Sequence, residues 1–86
     1  MPEYEILLSS TSRKQIDKLP FQVAHRILEH IGKLSANPRP AGCTKLKGVD
    51  NSSRIRVGDY RVIYEIEDYK LKVLVIGLGH PKDIYE

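Results

Sequence analysis

The chemistry-bearing residues of this sequence are mostly basic. Lys45, Lys47, Arg54, Arg56 and Arg61 fall within seventeen positions, against Asp50 and Asp59 alone. That window carries +3, the formal charge of the whole chain, so the remainder is balanced. Clustered fixed cations suit a polyanion or an acidic partner. Other chemistries lack their residues. There is no glycine-rich phosphate loop, no metal-ligand spacing and no Ser-His-Asp set. Cys43 is the single cysteine, so no internal disulfide is possible, and no nucleophilic set accompanies it. His25 and His30 fall on or near the polar side of a helix and read as surface residues. His80 sits near the C-terminal end, as an acid or base or as a turn residue.

The elements that must position these cations follow from pattern. With 86 residues the chain reads as one domain, residues 1–86. Its 41% hydrophobic and 29% charged content excludes a disordered chain. No apolar run approaches the ~20 residues of a membrane span. The acidic start, Met1 to Glu5, argues against a signal peptide. A reducing cytoplasm is the expected location, with no membrane partner.

Tyr4, Ile6 and Leu8 alternate as in a strand. Any of Ser9, Ser10, Thr11 and Ser12 can cap a short helix running to about Lys18. Leu19-Pro20 ends it, since the residue before proline is pushed out of helical angles. Val23, Ala24, Ile27, Leu28, Ile31 and Leu34 then recur with helical spacing, and the two helices form an αα-hairpin. Asn37 to Gly42 is a loop by its prolines and glycine. Three strands follow: Arg54 to Val57, Tyr60 to Glu67 and Leu71 to Ile76. Gly58-Asp59 and Asp68-Tyr69 are the predicted two-residue turns. The order β-α-α-β-β-β implies an α+β domain, its helical hairpin packed on a small, mainly antiparallel twisted sheet.

The first turn fixes a register. Val57 faces Tyr60, Arg56 faces Arg61, Ile55 faces Val62 and Arg54 faces Ile63. Side chains alternate faces along a strand. Ile55, Val57, Tyr60, Val62, Tyr64 and Ile66 therefore share a core face, and Arg54, Arg56 and Arg61 share the other. The second turn sets Tyr64 against Val73, Glu65 against Lys72 and Ile66 against Leu71. Like charges directly opposite each other destabilise a sheet. Arg56 facing Arg61 makes sense if a polyanion or acidic partner neutralises the pair. Lys45 and Lys47 enter the same sheet edge from the preceding loop.

Three runs of residues match a family. They are Lys45-Leu46-Lys47-Gly48, the stretch from Arg54-Ile55-Arg56-Val57-Gly58-Asp59-Tyr60-Arg61 to Tyr64, and Gly79-His80 with a terminal Tyr85. Together with the helical hairpin broken at Leu19-Pro20, they resemble the RelE toxins of the RelE/ParE toxin–antitoxin superfamily over essentially the whole chain. The resemblance implies a RelE-like fold and a toxin that cuts messenger RNA in the ribosomal A site. The attacking group is a 2′-hydroxyl next to the scissile phosphate, and no metal or other cofactor takes part. It also implies a cognate antitoxin, with operator DNA engaged only through that antitoxin.

Carried over by position, Arg54 and Arg56 stand where the family has two basic strand residues, one of them assigned as base. Arg61 matches a phosphate-stabilising arginine. Tyr85 matches a C-terminal tyrosine that positions RNA. Arginine, with a pKa of ~12.5 or above, is a poor general base, which favours an electrostatic role for Arg54 and Arg56. Pro81 replaces an expected arginine after Gly79-His80, leaving Lys82 or His80 to serve. Lys45, Lys47 and His80 are the further expected RNA contacts. Two other readings stay open. One is a ParE-like gyrase poison. The other is a degenerate, non-catalytic module that only binds an antitoxin.

Overall fold

The computed structural model describes residues 3–41, 43–45 and 52–80. The element order is β1 (Glu5–Leu8), α1 (Ser10–Asp17), α2 (Phe21–Lys33), β2 (Thr44–Lys45), β3 (Ser52–Val57), β4 (Tyr60–Glu67) and β5 (Lys72–Gly79). The strands form one sheet in the order β1-β5-β4-β3-β2. β2 to β5 pair antiparallel in sequence order, and β1 adds parallel to β5. This is the expected α+β architecture plus one short edge strand. A strand of two residues has no periodicity to read, which is why Thr44–Lys45 shows no sequence signal.

Each helix end has a local cause. Ser9 caps α1, its hydroxyl accepting the Ser12 N–H at 3.1 Å. Pro20 precedes α2 with φ −55°, and its carbonyl accepts from the Ala24 N–H. Proline's missing N–H costs nothing at a helix start. The helices cover one sheet face, α1 against β5 and α2 against β3. Ile16, Ile27, Ile31 and Leu34 meet Ile55, Val57, Val62, Tyr64, Ile66, Val73, Val75 and Leu78 in the core. Leu28 departs from the expected apolar stripe at 42% exposure, and Phe21 at the helix start is 84% exposed. Tyr64 is fully buried, and its hydroxyl donates to the Pro38 carbonyl at 2.8 Å. Burial, followed by the adjacent Cys43, pushes its phenol upward from the ordinary value.

The first hairpin is as the sequence predicts. Gly58 has φ +60°, and Asp59 keeps a negative φ. That is the II′ pattern, in which only the first central residue needs the left-handed side. The predicted pairs Arg54↔Ile63, Ile55↔Val62, Arg56↔Arg61 and Val57↔Tyr60 all occur.

The second hairpin differs. Its loop is Asp68 to Leu71, four residues rather than two, and β5 starts at Lys72. Lys72 therefore faces Glu67, Val73 faces Ile66 and Val75 faces Tyr64. A shift of two preserves the faces, so Tyr64, Ile66 and Val73 stay in the core. The longer loop is held by Asp68. Its carboxylate accepts from the Tyr4 hydroxyl at 2.8 Å and from both terminal nitrogens of Arg39 at 3.1 and 2.9 Å. Leu71 adopts φ +51° to close the loop, and its carbonyl accepts the Glu5 N–H.

β5 also carries an irregularity. Tyr64 faces Val75 but Ile63 faces Gly77, so Ile76 is one extra residue. Such a bulge strands backbone groups that need partners. α1 supplies them. Ser9 Oγ donates to the Ile76 carbonyl at 2.7 Å, and Ser12 Oγ reaches the Val75 carbonyl at 3.2 Å. Gln15 Oε1 accepts the Leu78 N–H at 2.8 Å.

The Asp68 clasp makes an acid-stability prediction. Arg39, then Tyr4, hold the Asp68 carboxyl below the usual carboxylate range. A depressed folded value means that the contribution is complete above the unfolded pKa, ~3.9, and fades as pH falls through the folded value. Asp68→Asn is therefore expected to cost stability at pH 7 and to lose part of the wild type's decline below about pH 4. Urea unfolding of both proteins from pH 7 to pH 2.5 checks this. Parallel curves would remove the clasp as a source of acid sensitivity.

Candidate functional site

Arg54 and Arg56 alternate with the core residues Ile55 and Val57 along β3, so burying the one set sends the other to the opposite face. Arg61, on β4, lies directly across from Arg56. Arg54, Arg56 and Arg61, with Thr44 and Ile55, line a depression of about 210 Å³. Thr44 enters because β2 pairs it with Arg54. Arg54 and Arg61 are half-buried, whereas Arg56 is exposed. On its other side Arg61 faces Gly79 of β5, which contributes no side chain beside it.

The depression is a site of fixed positive charge. Among its described residues no carboxylate, imidazole or ammonium lines it. A guanidinium stays charged throughout the physiological range and presents a planar donor fork suited to phosphate oxygens. The arrangement can bind a phosphate and stabilise added negative charge on it. Proton transfer needs other groups. Among the described residues no group of three or more His, Cys, Asp and Glu side chains is placed to hold a metal ion.

The remaining predicted residues fall elsewhere. Lys45 forms the end of β2 opposite Ser53, one position beyond the Thr44↔Arg54 pair. His80 packs edge-on against Tyr60, ring centroids 6.0 Å apart, near Gln15, Lys18 and Leu19 of α1 and its C-terminal turn. It is not brought to the arginine depression. Lys47, Pro81, Lys82 and Tyr85 lie outside the described residues. Sequence reading also passed over one neighbourhood. His30, Lys33 and Asn37 lie beside Arg56 in a groove between α2 and β3. His30 reads from the sequence only as a surface residue, because the strand that packs beside that part of α2 is not readable from the helix alone.

Known proteins share this fold. The family model described as ParE toxin of type II toxin–antitoxin system, parDE, matches residues 6–85. The chain belongs to that toxin family. Among curated relatives, Toxin RelG of Mycobacterium tuberculosis is 29% identical over 83 residues, covering 95% of each chain. Toxin RelE of the same organism is 28% identical, covering 95% of this chain and 86% of its own. The RelBE2 toxin–antitoxin complex of M. tuberculosis superposes with a TM-score of 0.82 at 27% identity, covering 96% and 97% of the two chains. The archaeal RelE–RelB complex of Pyrococcus horikoshii gives 0.81 at 27% identity, covering 94% and 98%. The isolated RelE toxin of E. coli gives 0.79 at 25% identity, covering 90% and 83%. The chain is thus a RelE-like toxin of the type II toxin–antitoxin class. No helix among the described residues is long and apolar enough to cross a membrane.

The toxin's arginine pair has a stability consequence. Opposed like charges are unfavourable by about the 0.2–1 kcal/mol that an opposite pair contributes. Arg56→Glu is expected to stabilise the fold by an amount of that order and to abolish phosphate binding in the depression. Thermal unfolding and phosphate titration by NMR check both halves. A destabilised Arg56→Glu variant would mean that the opposition carries no strain.

Proposed function

We propose that this toxin stops translation by cutting messenger RNA in the ribosomal A site. The observation that carries the reading is the placement of Arg54, Arg56 and Arg61 around one depression on the sheet face away from the helices. In the reaction, a ribose 2′-hydroxyl attacks the adjacent phosphorus. The bond to the 5′-oxygen of the next nucleotide breaks, leaving a 2′,3′-cyclic phosphate and a free 5′-hydroxyl. Negative charge builds on the phosphorane between these states, and fixed cations aimed at it are often the largest catalytic contribution. Arg61, between Arg56 and the bare Gly79 position, is the phosphate clamp; Arg54 and Arg56 add to the field. Lys82 and Tyr85 are assigned to proton transfer and RNA positioning, and Lys45, Lys47 and His80 to RNA contact, by their match to RelE toxins. The reading requires no cofactor and places the protein in the cytoplasm with ribosome and mRNA.

A cognate antitoxin is the second partner, supported by the relatives solved as toxin–antitoxin complexes. We assign its docking to the helical hairpin and the sheet edges. Phe21 and Leu28 are exposed, and with Ala24, His25 and Glu29 they line an apolar trough along α2. Operator DNA is engaged only through the antitoxin.

Inducible expression with primer extension on a reporter message tests the activity. Wild type is expected to arrest growth and cut within translated codons. Arg61→Ala is expected to lose cleavage by roughly 10²–10³-fold with its fold intact by circular dichroism. Arrest with intact message would point to gyrase or another target. Soluble protein without arrest would favour a binding module and put Pro81 first in line as the cause. Hydrogen exchange on the toxin–antitoxin complex tests the second assignment. Protection is expected on α2, and Leu28→Asp should loosen the complex. Protection confined to other elements would remove that docking surface.

A further inference from the structure

The groove beside Arg56 has no part in the phosphate chemistry above, yet it adjoins it. Its floor is Leu34, Pro40, Ala41 and Ile55, and its rim is His30, Lys33, Asn37 and Arg56. It encloses about 420 Å³, within the ~300–1,000 Å³ range of small-molecule sites. Ile55 and Arg56 line both this groove and the arginine depression, so the two adjoin along β3. The edge of β3 leaves room for it. β2 pairs only as far as Thr44↔Arg54, and the preceding chain turns away where the Cys43 N–H donates to the Pro40 carbonyl at 3.1 Å.

The rim is polar in a specific sense. His30 Nδ1 lies 2.9 Å from the Arg26 carbonyl. A carbonyl only accepts, so Nδ1 carries the proton and neutral His30 has an acceptor at Nε2. Asn37 Oδ1 accepts the Arg39 N–H at 3.1 Å, which leaves the Asn37 amide nitrogen as a donor. An apolar slot with one acceptor and one donor at its rim, beside a cluster of arginines suited to phosphate, matches a nucleotide with its base in the slot.

Resting on the ribonuclease reading, we propose that this groove is a nucleobase subsite. It takes the base of the nucleotide whose phosphate sits on the arginines, and so contributes to which sequence is cut. Leu34 and Ile55 form the apolar bed. His30 and Asn37 read the base edge. Lys33 and Arg56 hold the backbone at the entrance.

The test is methyl and arginine side-chain NMR on the full chain, titrated with inorganic phosphate and with each of the four ribonucleoside 3′-monophosphates. Phosphate is expected to shift the signals of Arg54, Arg56 and Arg61 alone. The nucleotides should also shift the methyls of Leu34, Ala41 and Ile55, by amounts that depend on the base. Ala41→Gln, at an exposed position, fills the slot without adding charge. It is expected to weaken the preferred nucleotide about tenfold, the loss of one base contact, and to leave phosphate binding unchanged. His30→Ala should flatten the preference among bases. If the arginines respond while the groove methyls stay still, or if phosphate alone moves those methyls, the subsite proposal fails and the phosphate site stands. If neither region responds to any nucleotide, the ribonuclease reading fails with it. If the methyls respond only to an extended acidic-apolar peptide, the groove belongs to a protein partner and the proposal is overturned.

Discussion

Two arginines held opposite each other across a β-hairpin are the constraint around which this small domain is organised. A sheet gains from attractive cross-strand pairs, and Arg56 against Arg61 is the reverse. The register that imposes it is doubly fixed. Gly58 supplies the positive φ that a two-residue turn requires, and Ile55, Val57, Val62 and Tyr64 must all face the helices. A slip of β3 by one residue would send Ile55 and Val57 to the open face and turn Arg54 and Arg56 toward the core. The apolar core therefore fixes the register that sets the three arginines side by side.

The bulge in β5 extends the same logic to the third strand. Val73 and Val75 are buried in ordinary alternation, but the next core residue is Leu78. The extra residue, Ile76, resets the phase. After it, Leu78 returns to Val62 in the core, Gly79 stands beside Arg61, and His80 reaches Tyr60. Ser9, the N-cap of α1, and Ser12 and Gln15 within it fall three residues apart, and each engages a β5 backbone group around Ile76. α1 thus contributes to the site through backbone hydrogen bonds rather than through a side chain in the depression. It stabilises the phase change that sets Gly79 beside Arg61.

Much of this was legible because it is periodic. Alternation gave the core face of β3 and β4, and Gly58-Asp59 gave the register that brings three arginines together. Helical spacing gave α2, with Ile27, Ile31 and Leu34 at its base. What was not legible depends on contacts made at a distance. The four-residue loop at Asp68 is specified by Tyr4 and Arg39, 64 and 29 residues away along the chain. The bulge at Ile76 is specified by serines and a glutamine of a different element, in a run Val73 to Leu78 that reads as continuous strand. The position of His80 inherits that uncertainty, since one extra residue decides which face it joins. The groove at His30 is a product of tertiary packing between α2 and the edge of β3, and neither element announces it alone.

The choice of arginine over lysine at Arg54 and Arg56 shapes what the sheet can contribute. A lysine in such a cluster can shift its pKa and exchange a proton, whereas a guanidinium remains a fixed charge. The described part of the depression is therefore an electrostatic platform rather than an acid–base pair. A platform of this kind works best when it does not reorganise during reaction, and a β-hairpin with its register locked by a buried core meets that need. Its charge also does not vary across the pH range in which cells operate. Under the proposed cleavage reaction, any pH dependence near neutrality belongs to a group outside the arginine row, so a pH profile compared between wild type and arginine variants separates field from proton transfer.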